Sequence, residues 1–311
     1  MSDRSGAGSS VGVGRVFRAY AALVRLPNLF TSPPDVILGA AIVVSLGRTV
    51  SIGSVIGLSV ASVLLYAAGT TLNDYFDAAE DERERPERPI PSGTVSRTSA
   101  LVFGAMLLSG GVVVALLAAG PTGGVVAAIL AMLILLYDGV FKGTVVGFLF
   151  MGASRGTNVL LGTAVAVSPT ALPTWALSVP VVITLYIASV TYMAEHETSE
   201  GDTEPVLVAM GGVVVAVAGV VGVLTLRAPP LVDVGVSAAI LVGFVAWTGR
   251  ALRRAYLDPL PRTVGPAVGA CVLGLIALTA SFAAVAGAGW SLAGVAFLVP
   301  AVGLSRLFDV S

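Results

Sequence analysis

Apolar stretches long enough to cross a bilayer recur along nearly the whole chain, at about 30–48, 52–73, 98–119, 122–141, 146–167, 173–194, 206–226, 231–249 and 265–287. A crossing helix needs roughly 20 apolar residues, and every backbone polar group in the hydrocarbon has to be satisfied within the segment. The nine runs therefore predict an all-α polytopic membrane protein with about nine transmembrane helices. A tenth, weaker stretch at about 290–305 carries Pro300 and reads as a short or interfacial helix. Only 11% of the residues are charged, against roughly 25% in a soluble domain, which excludes an ordinary soluble fold. The 37 glycines predict close helix–helix contact. Residues 15–311 read as a single membrane-embedded domain, entered through an interfacial helix over Arg15 to Phe30. Met1 to Gly14 is small and polar, lacks the apolar core of a cleaved signal, and is expected to be a disordered tail.

The charges are unevenly placed. Arg15, Arg18, Arg25, Arg83, Arg85, Arg88, Arg97, Lys142, Arg250, Arg253, Arg254 and Arg262 all fall at the N-terminus or after even-numbered runs, while the opposite loops hold only Arg48 and Arg227. Positive charge favours the cytoplasmic face, so a multi-pass protein of the cell membrane is expected, with the N-terminus and these loops cytoplasmic. The acids divide the same way. One group, Asp74 to Glu87, follows the second run, and another, Glu195 to Glu204, follows the sixth. Parity puts both on the Arg-rich face, where they can meet over one central cavity. Cys271 is the only cysteine, which excludes a disulfide framework and a thiolate metal site. No basic patch with interleaved aromatics points to nucleic acid.

Within the first acidic group, Asn73, Asp77 and Asp81 are spaced by four, so each side chain advances only about 40° around a helix and all three oxygens share one face. Asp74 lies about 100° away. Carboxylates that close repel one another unless they share a cation, and oxygen ligands without Cys or His suit Mg²⁺, which also binds substrate phosphates. Two acid clusters, nearby Arg and Lys, and an apolar tunnel are the parts needed to hold metal ions, a diphosphate and a hydrocarbon tail. Metal binding then stabilises diphosphate as a leaving group.

The segment Asn73-Asp-Tyr-Phe-Asp77-Ala-Ala-Glu-Asp81, with Arg88-Pro-Ile-Pro-Ser-Gly93 after it, resembles the first signature of the UbiA superfamily of intramembrane prenyltransferases. Tyr137 to Lys142 is similar to that family's Tyr…Lys element, whose lysine contacts diphosphate. The resemblance implies nine helices around a central cavity, two Mg²⁺ and Mg-dependent transfer from a prenyl diphosphate donor to a hydrophobic or aromatic acceptor in the lipid bilayer. It implies Asn73, Asp77, Asp81, Glu195 and Asp202 as metal ligands, with Asp77, Asp81 and Lys142 in the catalytic centre and Arg88 beside the diphosphate. The second signature departs from the pattern, because Thr198 stands where a carboxylate is expected between Glu195 and Asp202; Glu197 or Glu200 is the candidate replacement. Leu26 to Ser32, Tyr137 to Lys142 and Met151 to Gly162 are similar to the EboC-like branch, whose second motif is also eroded.

Arg155 and Asn158 lie inside the fifth run, and a charge at that depth needs a partner or water. Both are expected to face the cavity near the diphosphate or an acidic cluster; the alternative is an Arg snorkelling from a displaced helix end. Two other functions fit the composition: a membrane transporter, and a degenerate relative that binds an isoprenoid or polar lipid without turnover.

Overall fold

The computed structural model describes residues 6–198 and 201–305, and within them the chain is helical throughout, with no strand. Helix α1 (Gly6–Leu23) is followed by a 3-10 stretch, Leu26–Thr31, and then by α2 (Pro33–Ser45), α3 (Ile52–Phe76) and the short α4 (Ala78–Glu84). The remaining helices are α5 (Arg97–Leu136), α6 (Val145–Thr163), α7 (Thr174–Glu195), α8 (Glu204–Arg227), α9 (Leu231–Leu257), α10 (Pro261–Ala283), α11 (Ala288–Val295) and α12 (Leu298–Ser305). Among the described residues nine helical segments are long and apolar enough to cross a membrane, as a multi-pass protein requires. Helix starts at Gly6, within the stretch expected to be a disordered tail, because Val13, Val16, Phe17 and Tyr20 already recur at helical spacing across the expected boundary.

One of the nine segments, Arg97–Phe141, contains two of the sequence-predicted spans. An unbroken α5 would be about 60 Å long, twice the hydrocarbon thickness. Instead the chain doubles back at Ala119 (φ −138°, ψ 19°) and Gly120 (φ 64°, ψ −160°), just before Pro121. Gly120 adopts the left-handed region that glycine tolerates, and proline starts the returning helix. A Cβ on Gly124 would lie 3.1 Å from the Leu116 side chain, although eight residues of straight helix would separate the two by about 12 Å. Both halves of this hairpin pack on α3, burying Leu58, Ala61 and Leu65 against Ala115, Val126, Ala127, Leu130 and Ala131. A larger core joins α2, α6, α7, α8, α9 and α10 through residues such as Leu38, Val159, Tyr186, Phe244 and Leu278. The Tyr186 hydroxyl, fully buried there, donates to the Cys271 carbonyl at 2.8 Å.

The weak tenth stretch forms α11 and α12, broken at Ala296–Phe297, and α12 packs back onto the 3-10 stretch that precedes α2. The first span likewise begins earlier than its apolar run, at Leu26, because the 3-10 stretch lengthens it. Helices α2 and α6 approach most closely at Gly39 and Gly162. A Cβ on Gly39 would strike the Val159 carbonyl and the Gly162 backbone, and one on Gly162 would strike the Val36 carbonyl. That contact fixes the polar side chains that α2 and α6 present to each other.

Candidate functional site

Asn73, Asp77 and Asp81 stay on one face although α3 ends at Phe76. Asp77 keeps near-helical angles (φ −79°, ψ −4°) at the junction with α4. The Asp77 amide donates to the Asn73 carbonyl and the Asp81 amide to the Asp77 carbonyl, both at 2.9 Å, so the step of four survives the junction. The Asn73 amide nitrogen donates to Asp138 Oδ1 at 2.9 Å, and Asn73 Oδ1 accepts from Arg25 at 3.3 Å.

The loop after α4 supplies the first cation. Ile90 and Val95 pack on Ala19, Leu23 and Ala100, and the Val95 amide donates to the Pro89 carbonyl at 2.9 Å, so the loop folds back over the helix ends. This turns Arg88 inward, where its Nη1 donates to both oxygens of Asp81, at 2.9 and 3.1 Å, and lies 3.5 Å from Asp74 Oδ1. The second cation follows α5. A single π-helical turn, Tyr137–Phe141, ends at Lys142, and Gly143 (φ 73°) redirects the chain into α6. Lys142 Nζ is ion-paired with Asp77 Oδ2. Glu195, at the end of α7, brings Oε1 within 3.2 Å of where a Cβ on Gly143 would sit, so it borders the same Lys142 turn. Asn73, Asp77, Asp81, Arg88, Lys142 and Glu195 thus converge at one end of the bundle.

The rest of the second acidic segment does not join them by any described contact. Asp202 Oδ1 accepts from the Glu204 amide at 2.9 Å and so caps the start of α8. Glu197 lies against Gly265 on α10, with Arg85 as its nearby charge; burial pushes its carboxyl above the usual carboxylate range, and Arg85 partly offsets this. Thr198 is exposed, and Glu200 lies outside the described residues.

Arg155 and Asn158 occupy a separate layer. Ten residues into α6, Arg155 is about 15 Å from the start of its helix. Its Nη2 donates to the Thr31 carbonyl at 2.7 Å, and its Nε lies 3.3 Å from Asp35 Oδ2. Asn158 donates to Asp35 Oδ2 at 2.9 Å and to the Ser32 carbonyl at 3.0 Å. All three side chains are buried. The acid that neutralises Arg155 is therefore Asp35 on α2, not the mouth cluster, and no described contact links this layer to the mouth. Asp35 Oδ1 and Asn158 Oδ1 have no hydrogen-bond partner there.

Two mouth residues were missed by sequence reasoning. Arg25 adopts a left-handed conformation (φ 48°, ψ 58°) before Leu26-Pro27 and reaches Asp74 Oδ1 at 3.4 Å as well as Asn73. Strained non-glycine backbone of this kind clusters at functional sites, but sequence shows only one more basic residue before a span. Asp138 lies four residues before Lys142 and accepts from Asn73, 65 positions away, a pairing that no local pattern signals.

The donor set at the mouth fits a hard divalent cation, being oxygen throughout: Asn73, Asp77, Asp81 and Glu195. Among the described residues, no three carboxylates are close enough together to form a ready chelate, since each one on the ladder faces a cation of the chain.

A model of the UbiA prenyltransferase family matches residues 36–206. The digeranylgeranylglyceryl phosphate synthase of Methanopyrus kandleri is 35% identical over 153 residues, covering 49% of this chain and 55% of that one; the chain spans about half the length of the curated relatives it matches. Two solved structures share the fold. A UbiA homolog from Aeropyrum pernix K1 superposes with a TM-score of 0.64 at 16% identity, over 81% of this chain and 96% of that one. A UbiA homolog from Archaeoglobus fulgidus bound to GPP and Mg²⁺ gives 0.60 at 13%, over 89% and 99%. With the carboxylate ladder and its cations inside a family match that covers more than half its length, this chain belongs to the UbiA prenyltransferase family.

Proposed function

We propose that the chain transfers a prenyl group from a prenyl diphosphate to a lipid acceptor, with Mg²⁺ as cofactor and with the mouth of the site on the cytoplasmic face. The observation that carries this reading is the convergence of Asp77, Asp81, Arg88 and Lys142 at one end of an apolar bundle. Anionic oxygens on a fixed helix face and basic arms beside them match a phosphate-bearing head, and the surrounding helices match a hydrocarbon tail. Asn73, Asp77, Asp81 and Glu195 would hold Mg²⁺, which neutralises charge on the leaving diphosphate. Arg88 and Lys142 would orient the same diphosphate and stabilise the negative charge that develops on it. That bond breaks with its electron pair leaving on diphosphate, an acceptor hydroxyl oxygen bonds to the freed carbon, and the hydroxyl proton passes to water.

The names of the relatives suggest geranylgeranylglyceryl phosphate as the first acceptor to try, with geranylgeranyl diphosphate as donor. Purified chain, both lipids and Mg²⁺ are expected to release diphosphate and form an ether detectable by mass spectrometry. No diphosphate release from donors of any length, with glycerol-phosphate or aromatic acceptors, overturns the transfer reading. A second reading, prenyl-lipid binding without turnover, is favoured by Thr198 and by the engagement of Asp202 in capping α8. Binding of the donor without release in that assay would support it.

A further inference from the structure

Asp77 and Asp81, two of the residues expected to ligate metal, and Asp74 beside them already have cationic partners that belong to the chain. Lys142 holds Asp77, Arg88 holds both oxygens of Asp81, and Arg25 and Arg88 share Asp74 Oδ1 at 3.4 and 3.5 Å. The two sides of these pairs differ in freedom. The carboxylate side chains are fixed on the α3–α4 backbone and only 5–14% exposed. The cations come on long arms from three other places in the chain; the side chains of Arg25 and Lys142 are 32% and 29% exposed, that of Arg88 15%. Each arm carries more rotatable bonds than an Asp side chain, and Arg25 and Lys142 are also more open to water than the carboxylates they hold.

A divalent ion arriving alone has to displace Lys142 and Arg88 and leaves these charges beside it, unpaired and repelled. A diphosphate arriving alone meets cations that are already neutralised, and carboxylates that repel it. When both arrive together the metal takes the carboxylates and the diphosphate takes the arms, so no charge is left without a partner. We infer that Arg25, Arg88 and Lys142 are exchange partners, and that the site accepts a metal–diphosphate unit while discriminating against either ion alone. The inference rests on the diphosphate reading above and adds the form in which that substrate is recognised.

The test uses the full chain in detergent. Mn²⁺ binding is read from the electron paramagnetic resonance signal of the free ion, and inorganic diphosphate binding by equilibrium dialysis, each ion alone and both together. Weak binding of each ion alone and tight joint binding are expected. Lys142→Met should tighten Mn²⁺ binding in the absence of diphosphate by about fivefold, the order expected for one partly exposed ion pair, and should weaken joint binding. Arg88→Gln should do the same, whereas Lys142→Arg, which keeps the competing charge, should leave Mn²⁺-alone binding weak. Thermal unfolding reports whether each variant folds, and either of the first two suffices to decide. Joint binding in the parent, with no gain of Mn²⁺ affinity in a folded Lys142→Met or Arg88→Gln chain, overturns the exchange and leaves the diphosphate reading standing. Binding of neither ion, alone or together, overturns both.

Discussion

Asp74 is about 100° off the ladder face, and on spacing alone its loss should be mild. The structure ties it to the site through Arg25 and Arg88, with its own side chain 8% exposed. Asp77→Ala and Asp81→Ala are expected to reduce prenyl transfer at least a hundredfold, a scale typical of losing a preorganised charge at the reacting group. Asp74→Ala is expected to lower the thermal midpoint, since Arg25 and Arg88 each lose one of their two anchors, and Asp74→Asn should recover part of it. Equal midpoints for the parent and Asp74→Ala would show that Asp74 carries no structural pairing. Glu197 gives a pH signature of its own. A carboxyl raised above its ordinary 4.5 binds its proton more tightly in the folded than in the unfolded chain. Its contribution to stability is therefore complete below 4.5 and is lost as pH rises through the raised value. Glu197→Gln should flatten that decline and be the more stable form at mildly alkaline pH in thermal unfolding across a pH series. Parallel profiles for parent and variant would contradict it.

At the scale of helices, the α2–α6 contact depends on two positions without a side chain. Gly39→Ala should force the helices apart, costing about 1–3 kcal/mol as overpacking does, and should pull Asp35 away from Arg155. Gly211→Ala, where a Cβ meets nothing within 4 Å, serves as the neutral control. Denaturant titration of the two variants measures the difference, and a Gly39→Ala chain as stable as the control would refute the close-contact argument. The elements that were legible in the sequence are those set by local pattern: the apolar runs, the reversal at Ala119-Gly120-Pro121, and the ladder whose members lie four residues apart. What stayed hidden depends on tertiary pairing. Arg25 meets Asn73 across 48 positions, Asn73 meets Asp138 across 65, and Asn158 meets Asp35 across 123. Arg155 and Asn158 stood out as polar residues at depth, but nothing local names Asp35 as their partner. The second acidic segment was legible only in part: parity places it on the same end as the first, where Glu195 borders the Lys142 turn, but it says nothing about the hydrogen bond that Asp202 makes at the start of α8.

For the whole molecule, the proposed orientation is testable with single cysteines. In a Cys271→Ala background, which retains the carbonyl that Tyr186 uses, Glu84→Cys and Glu204→Cys should both be labelled by an impermeant thiol reagent only from the cytoplasmic side. Labelling of the two from opposite sides would break the shared mouth. The buried Asp35 layer has a further consequence, for how the chain is made. Asp35 enters the bilayer with α2, whereas Arg155 and Asn158 are synthesised more than a hundred residues later. At ribosomal speeds that interval is on the order of ten seconds, during which a lone carboxylate at mid-membrane depth would be costly. Helix α2 therefore enters the bilayer with its carboxyl either protonated or shielded, and gains its ionic partner only when α6 arrives with its guanidinium. One ion pair thus joins two helices that are synthesised more than a hundred residues apart.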